Sequence, residues 1–427
     1  MDSVARGTLI NLFTRILGIA LGLAIVLATA RLGPVPQGTF ALFTAVESSL
    51  LMLGSGFGVA LARRVSQHSQ LPVALVGAVI VTTAGIGLGC AAGLLAVAAT
   101  SDSERSFLWL MAISAPFIFI TPSLCGLWLG RARMAALARI NLAAPLLTIA
   151  GMAIALIAYG GVGLWEVLSS WVVSRILVAL GTLLVVWRQG WAARPDMAAM
   201  GNEMRFVCVI GLTNLIGLLN YKADLFFVEH FLGRESTGVY SVAVMVAELL
   251  WLVSSSVTQA AYSRIGTHDG ADASRITLRV VHASLLSLIL LAPAVWLAAA
   301  LTLPRLLGVE YAASLPVLGW LLPGVVAYGA ASALSAYFTN HAGQPLIPAL
   351  LAGTSLVINV ILSVLLIPQL GLIGGALATT VSYLVSIAIA AVVFTRRSGT
   401  PLPHLLQPDW QALRADLRRL AKPAARA

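Results

Sequence analysis

The sequence predicts an all-α integral membrane protein with about 12 transmembrane helices, in two parallel pseudo-symmetric six-helix lobes around a central cavity. Three observations predict this fold class. The 427-residue chain is 59% hydrophobic and only 10% charged, whereas a soluble domain carries about a quarter charged residues. Its apolar runs reach about 20 residues, the length that crosses the hydrocarbon core. One segment also recurs 200 positions later, which divides the chain into related halves.

The predicted helices follow the apolar runs in order. The first half has spans at 8–29, 39–61, 71–98, 107–129, 139–159 and 164–187. The second half has spans at 206–231, 238–261, 278–302, 314–338, 346–368 and 373–395. These bounds predict an N-lobe at 1–190, a cytoplasmic linker at 191–204, a C-lobe at 205–397 and a basic amphipathic cytoplasmic tail at 398–427. In that tail, apolar residues from Trp410 to Leu420 recur at helical spacing, which suits a helix lying on an anionic membrane surface.

The internal repeat joins residues 31–64 to residues 231–264 without a gap. Identical pairs include Leu32/Leu232, Gly33/Gly233, Gly38/Gly238, Val46/Val246 and Arg64/Arg264, and Phe40 aligns with Tyr240. Six spans separate the two copies, so both cross the membrane in the same sense. Such parallel repeats are related by an axis along the membrane normal and are typical of transporters.

The net charge of +10 is a topology signal and gives no reason to expect a nucleic-acid partner. Outside the spans, 19 of the lysines and arginines fall on one side, which also carries both termini. The opposite side has four: Arg31, Arg105, Arg234 and Arg305. The positive-inside rule therefore places both termini in the cytoplasm.

The chain contains no motif for a catalytic or metal centre. Cys90, Cys125 and Cys208 lie in apolar runs without a CxxC spacing, so we expect small buried residues with no disulfide or metal. Nucleophilic triads, Walker loops and Rossmann fingerprints are absent from the sequence. We therefore expect a protein that is not an enzyme and needs no cofactor.

Charged residues inside the spans are the candidates for the substrate cavity, because a charge in the bilayer is unfavourable and usually lines a wet or protein-lined space. They are Arg15, Glu47, Arg175, Lys222, Asp224 and Glu248. Lys222 and Asp224 are two apart and point to different faces, so Asp224 is expected to meet Arg15 or Arg175. The three cations favour an anionic substrate such as a pyrophosphate.

Structural explanations for the same residues remain open. Glu47 also fits a buried structural partner, and Arg15 is near enough to its helix end to reach the cytosol. Lys222 and Asp224 equally fit structural pairs with other helices. Gly54, Gly56 and Gly58, with Gly77, Gly85, Gly87, Gly89 and Gly93, predict close helix packing.

Three segments resemble the signatures of bacterial polysaccharide (O-antigen-type) flippases. They are ATARLGPVPQGTFALFTAVESSLLMLGSGFGVALARR for helices 1–2, DLFFVEHFLGRESTGVYSVAVMVAELL for helices 7–8, and AYFTNHAGQPLIPALLAGTSLVINVILSVLLIPQLGLIGGALATTVSYL for helices 10–12. In the third, Asn359, Pro368, Gly371 and Gly374 carry the resemblance. These flippases belong to the multidrug/oligosaccharidyl-lipid/polysaccharide exporter superfamily.

The resemblance implies an alternating-access exporter in the inner membrane. Its substrate would be an undecaprenyl-pyrophosphate-linked oligosaccharide for O-antigen or exopolysaccharide biosynthesis, with membrane lipids, a glycan polymerase and glycosyltransferases as partners. By position, Arg15, Lys222 and Asp224 would line the cavity.

The antiporters of the same superfamily are the main alternative, and two other classes are less favoured. Peptidoglycan lipid II flippases look similar but have two further helices, for which this chain lacks room. Cation-coupled multidrug antiporters of the same superfamily place carboxylates in their cavity, and this chain has both signs of charge. A membrane glycan polymerase or ligase is disfavoured by the short loops.

Overall fold

The structure, a computed structural model, describes residues 3–67, 71–100, 105–267 and 270–406. The predicted amphipathic helix of the tail, from Trp410 to Leu420, lies outside these residues. Within them the chain is helical without a strand. Helices long and apolar enough to cross a bilayer make this a multi-pass membrane protein.

The helices in chain order are α1 (Ser3–Ala30), α2 (Pro34–Gln67), α3 (Val73–Thr100), α4 (Arg105–Ile118), α5 (Ile120–Gly130), α6 (Met134–Tyr159), α7 (Leu164–Arg188), α8 (Met197–Glu248), α9 (Trp251–Thr267), α10 (Gly270–Leu307), α11 (Ser314–Ala330), α12 (Ser332–Ala336), α13 (Leu346–Leu370), α14 (Leu372–Ser398) and α15 (Leu402–Leu406). A 3₁₀-helix covers Val309–Ala313 and a π-helix covers Tyr337–His341.

The twelve-helix prediction is confirmed once one long element is divided. The described residues contain 11 apolar stretches of spanning length, and the longest runs from Met197 to Gln259 over 63 residues. At 1.5 Å per residue that stretch is about 95 Å long, about three times the hydrocarbon thickness. Gly233, with φ 81° and ψ −178°, leaves the helical conformation inside it. The stretch therefore holds two crossings, which are predicted spans seven and eight.

The repeat has the same backbone conformation at its first turn in both copies. Gly33 has φ 113° and Gly233 has φ 81°, a region that L-residues with a side chain rarely adopt. Seven residues later, Phe40 and Tyr240 are both buried, with 2% and 0% of their surface exposed. The duplicated sequence thus specifies a duplicated local structure.

The chain divides into two compact units, Met1–Leu218 and Leu219–Ala427. The first unit takes in the beginning of α8 because that segment packs on α2. A Cβ on Gly211 would meet the backbone of Leu53, and Asn214 Nδ2 donates a hydrogen bond of 2.8 Å to Ser55 Oγ. The lobe boundaries predicted from sequence stay a prediction.

Close packing explains some of the predicted small residues and not others. On α2 and α5, a Cβ on Gly58 would lie 2.5 Å from the carbonyl oxygen of Pro122, and one on Gly126 would clash with the backbone of Gly58. Gly54, Gly56, Gly77 and Gly87 are in similarly tight places. Gly85, Gly89 and Gly93 have no neighbour within 4 Å of the added atom, so packing within the described chain does not require glycine there.

Candidate functional site

The first unit contains a buried ion pair beneath an aromatic ring. Trp171 and Arg175 are four residues apart on α7 and therefore share a face. That face meets Glu47 of α2, which is only 3% exposed. Trp171 Nε1 donates a hydrogen bond to Glu47 Oε2, and Arg175 Nε lies 3.2 Å from Glu47 Oε1. The guanidinium of Arg175 also stacks 4.4 Å from the centre of the Trp171 ring.

A cavity of about 340 Å³ adjoins this pair. Glu47 and Arg175 form its charged wall, while Thr121 and Asn141 add a hydroxyl and an amide. The rest of the lining is mostly apolar, from α2, α5, α6 and α7 and their neighbours. Such a cavity has the size and the mixed lining of a small-molecule site.

The second unit buries a carboxylate among hydroxyl groups. Asp224 is 3% exposed. Its Oδ2 accepts hydrogen bonds from Tyr240 Oη at 2.6 Å and from Thr379 Oγ1 at 3.0 Å, and its Oδ1 accepts from the Leu225 backbone at 2.9 Å. Asn359 of α13 extends the network by donating a 3.0 Å bond to Thr379 Oγ1. Hydrogen bonds to an ionised carboxylate compensate for its burial.

Lys222 forms a more accessible ion pair, with Glu248. Lys222 Nζ lies 3.2 Å from Glu248 Oε1, and the two side chains are 27% and 29% exposed. Directly after Glu248 the helix is interrupted. Leu249 and Leu250 donate to carbonyls only three residues back, and α9 begins at Trp251. In the first unit, α2 continues without interruption through the matching positions.

An aromatic cluster follows this interruption. Trp251 lies 5.1 Å from Tyr221 and 5.8 Å from Tyr328 between ring centres, and Tyr328 stacks 4.5 Å from Tyr383. Tyr221 and Tyr328 line a cavity of about 220 Å³, together with apolar residues and the hydroxyls of Ser332, Ser335 and Ser386.

The two units use matching positions for different chemistry. Trp171 lies seven residues after Leu164, the start of α7, and Thr379 lies seven residues after Leu372, the start of α14. Phe40 packs edge-on against Trp171 at 5.3 Å, and its repeat partner Tyr240 joins the hydrogen-bond network of Thr379. An aromatic contact in the first unit is thus a hydroxyl network in the second.

One sequence expectation needs correction. The predicted excess of cations is reduced, because Glu47 balances Arg175 and Glu248 balances Lys222. The physical reason is that a buried cation without a carboxylate is less favourable than a paired one. Within its own unit Asp224 is held by the hydroxyls of Tyr240 and Thr379, and its expected contact with Arg15 or Arg175 stays a prediction.

Arg15 is the one candidate not yet described. Arg15 is exposed on α1. The role of all six charged residues in substrate contact stays a prediction.

Trp171, Tyr240 and Thr379, which hydrogen-bond to the buried carboxylates, were not among the candidates from sequence. A signal was present for Tyr240, since it aligns with an aromatic residue in the repeat. Thr379 and Trp171 carry no charge, so a search for intramembrane charges passes over them.

No protein-family model and no curated protein matches the chain. Solved structures do match. The lipid II flippase MurJ in an inward closed conformation superposes with a TM-score of 0.72 at 17% identity, covering 99% of this chain and 94% of that chain. Sequence analysis expected this chain to be too short for a lipid II flippase. Because the match covers 94% of that flippase, chain length does not separate the two.

Two further structures share the fold. An inward-facing multidrug resistance transporter of the MATE family has a TM-score of 0.68 at 16% identity, covering 90% of this chain and 94% of that one. A transporter from Pyrococcus furiosus, described as having a binding pocket of reverse polarity, has a TM-score of 0.62 at 14% identity, covering 95% and 96%. Both are described as members of the MOP superfamily, the exporter superfamily that the sequence motifs resemble. This chain has the fold of the MOP superfamily transporters.

Proposed function

We propose that the protein is an alternating-access flippase that moves undecaprenyl-pyrophosphate-linked oligosaccharides across the bacterial inner membrane, with both termini cytoplasmic. The observation that carries the proposal is the likeness to a lipid II flippase along 99% of this chain. The three segments that resemble polysaccharide flippases point to the same substrate class. Glycosyltransferases that build the glycan and a polymerase that consumes it would be its partners in surface polysaccharide synthesis.

Lys222 is the residue we assign to the pyrophosphate. Its ion pair with Glu248 is about one quarter exposed on each side, so both groups can be reached by a ligand. A diphosphate carries more negative charge than one carboxylate, so it can compete with Glu248 for Lys222. Arg175 is a poorer choice because its partner Glu47 is buried, and removing a partner from a buried pair costs about 3–5 kcal/mol.

The same residues support a second candidate, a cation-coupled multidrug antiporter. Glu248 lies three residues before Trp251, whose ring belongs to the cluster with Tyr221 and Tyr328. A carboxylate beside aromatic faces suits an organic cation, through charge and cation–π attraction. The two candidates assign opposite roles to one ion pair: the flippase needs the lysine and the antiporter needs the glutamate.

Two single variants separate the candidates. In a strain lacking the chromosomal copy, K222Q should abolish surface polysaccharide, because the diphosphate loses its cation. E248Q should retain it, because Lys222 is then free of its competing carboxylate. The control variant is R139Q, which removes an exposed arginine of α6 and should retain polysaccharide.

The outcomes for the antiporter are reversed. Loss of drug resistance in E248Q with normal polysaccharide in K222Q would reject the flippase and support the antiporter. Each variant is scored only where its folded amount in the membrane, measured by size-exclusion chromatography of the tagged protein, equals that of wild type.

A further inference from the structure

Two arginines of the first unit stack on one tryptophan at an end of the helices. The Cζ atoms of Arg131 and Arg133 lie 4.4 Å and 5.9 Å from the centre of the Trp191 ring. Both distances share one centre, so the two guanidiniums are no farther apart than about 10 Å, the screening length in 0.1 M salt. Two like charges held this close repel each other.

Matching turns hold this arrangement in place. At the end of α5, Arg133 N donates to Trp128 O at 2.9 Å and Ala132 N donates to Leu129 O at 3.0 Å. At the end of α7, Trp191 N donates to Val186 O at 3.0 Å. Both are Schellman-type helix ends, in which the residue after the last turn adopts positive φ. One turn thus presents Arg133 and the other presents Trp191.

The turn after α5, which carries Arg131 and Arg133, contains one residue in an unfavourable backbone conformation. In α7 the positive-φ position is Gly190, as expected, but in α5 it is Ala132 with φ 53°. Ala132 is the one residue other than glycine with positive φ in the described part of the chain. A side chain disfavours this conformation, and such strain is often kept where a site needs a fixed geometry.

The two guanidiniums have no carboxylate partner in the described part of the chain. Among residues 3–67, 71–100, 105–267 and 270–406, no carboxylate forms an ion pair with Arg131 or Arg133. Asp196, five residues after Trp191, accepts from the backbone of Ala199, at the start of α8. The pair therefore has its charge available for a ligand.

We propose that Arg131, Arg133 and Trp191 form a surface site for the diphosphate headgroup of a membrane lipid. Two guanidiniums match the two phosphoryl groups, since each binds a phosphate with paired N–H donors. Trp191 lies three residues after the end of α7, and tryptophan is enriched where spanning helices reach the headgroup level. The identity of the lipid as the flippase's own undecaprenyl-linked substrate rests on the proposed function.

The position suits a lipid that arrives from the predicted cytoplasmic side. Ala193, two residues after Trp191, donates a 3.0 Å hydrogen bond to the carbonyl of Val73, which begins α3. One end of the first unit therefore holds the start of α3, the turn between α5 and α6 and the linker between α7 and α8, as the span count requires. The site would gather the headgroup at the surface before it reaches Lys222.

A site-specific titration tests this. Full-length protein labelled with 5-fluorotryptophan is placed in phosphatidylcholine nanodiscs, and undecaprenyl pyrophosphate is added without a sugar. The Trp191 resonance is assigned by its loss in W191F. It should shift saturably in wild type, and R131Q/R133Q should weaken the affinity at least tenfold. R139Q removes an exposed arginine of α6 whose Nε donates to the Ala135 carbonyl, and it should change the affinity less than twofold.

Further arms identify the ligand. K222Q should leave the titration at Trp191 unchanged. A failure of the surface site can therefore be told apart from a failure of the transport proposal. R131K/R133K, which keeps the charge and loses the paired donors, should weaken affinity to an intermediate degree and serves if the glutamine variant misfolds. The proposal is overturned if R139Q weakens binding as much as the double variant. It is also overturned if phosphatidylglycerol or inorganic pyrophosphate displaces the lipid at equal concentration.

Discussion

The ion pair between Glu47 and Arg175 allows a quantitative test of how this membrane protein tolerates charge. E47Q keeps the size of the side chain and an oxygen that accepts from Trp171, but it removes the negative charge. The Glu47 side chain is 4% exposed and that of Arg175 is 31% exposed. Separating a buried pair costs about 3–5 kcal/mol, and the partial exposure of Arg175 places E47Q at about 3 kcal/mol.

A double-mutant cycle measures this interaction. The free energy of unfolding is determined for wild type, E47Q, R175Q and E47Q/R175Q in one detergent. R175Q should lose at least as much as E47Q, because it leaves the more deeply buried charge without a partner. The double variant should lose less than the sum, with a coupling of about 1–3 kcal/mol. Additivity within about 0.5 kcal/mol would refute the reasoning, because independent residues behave that way.

Three further variants test other contacts by the same unfolding measurement. Y240F should lower the unfolding free energy by about 1.5–3 kcal/mol, since it removes a donor to the buried Asp224; no change would mean that the bond is not made. G126A should cost about 1–3 kcal/mol through helix overpacking, while its control G89A, in open space, should stay within about 0.5 kcal/mol; equal effects would contradict the packing assignment. A132G should stabilise the protein by about 1 kcal/mol by relieving positive φ, and a destabilised variant would contradict the strained turn.

The sequence was sufficient for the architecture because hydropathy and repetition act over many residues. Twenty apolar residues leave few alternatives to a spanning helix, since unsatisfied backbone groups are excluded from lipid. The repeat also aligns Gly33 with Gly233, and both have positive φ in the structure. The division of the long α8 into spans seven and eight was also predicted, and the non-helical backbone of Gly233 lies between them.

Partners of the charges were less predictable because they depend on packing between distant segments. Glu47 and Arg175 are 128 residues apart in sequence, and nothing local connects them. Helical spacing correctly indicated that Lys222 and Asp224 point in different directions. It gave no reason to choose Glu248 for Lys222, or hydroxyl groups for Asp224.

The matching positions of Trp171 and Thr379 have a consequence for how such proteins diversify. After a duplication, each half inherits the same backbone sites, and a few side-chain replacements decide whether its buried acid pairs with an arginine, as Glu47 does, or accepts from hydroxyl groups, as Asp224 does. The distribution of charged side chains between the two halves can therefore change while the helices stay the same.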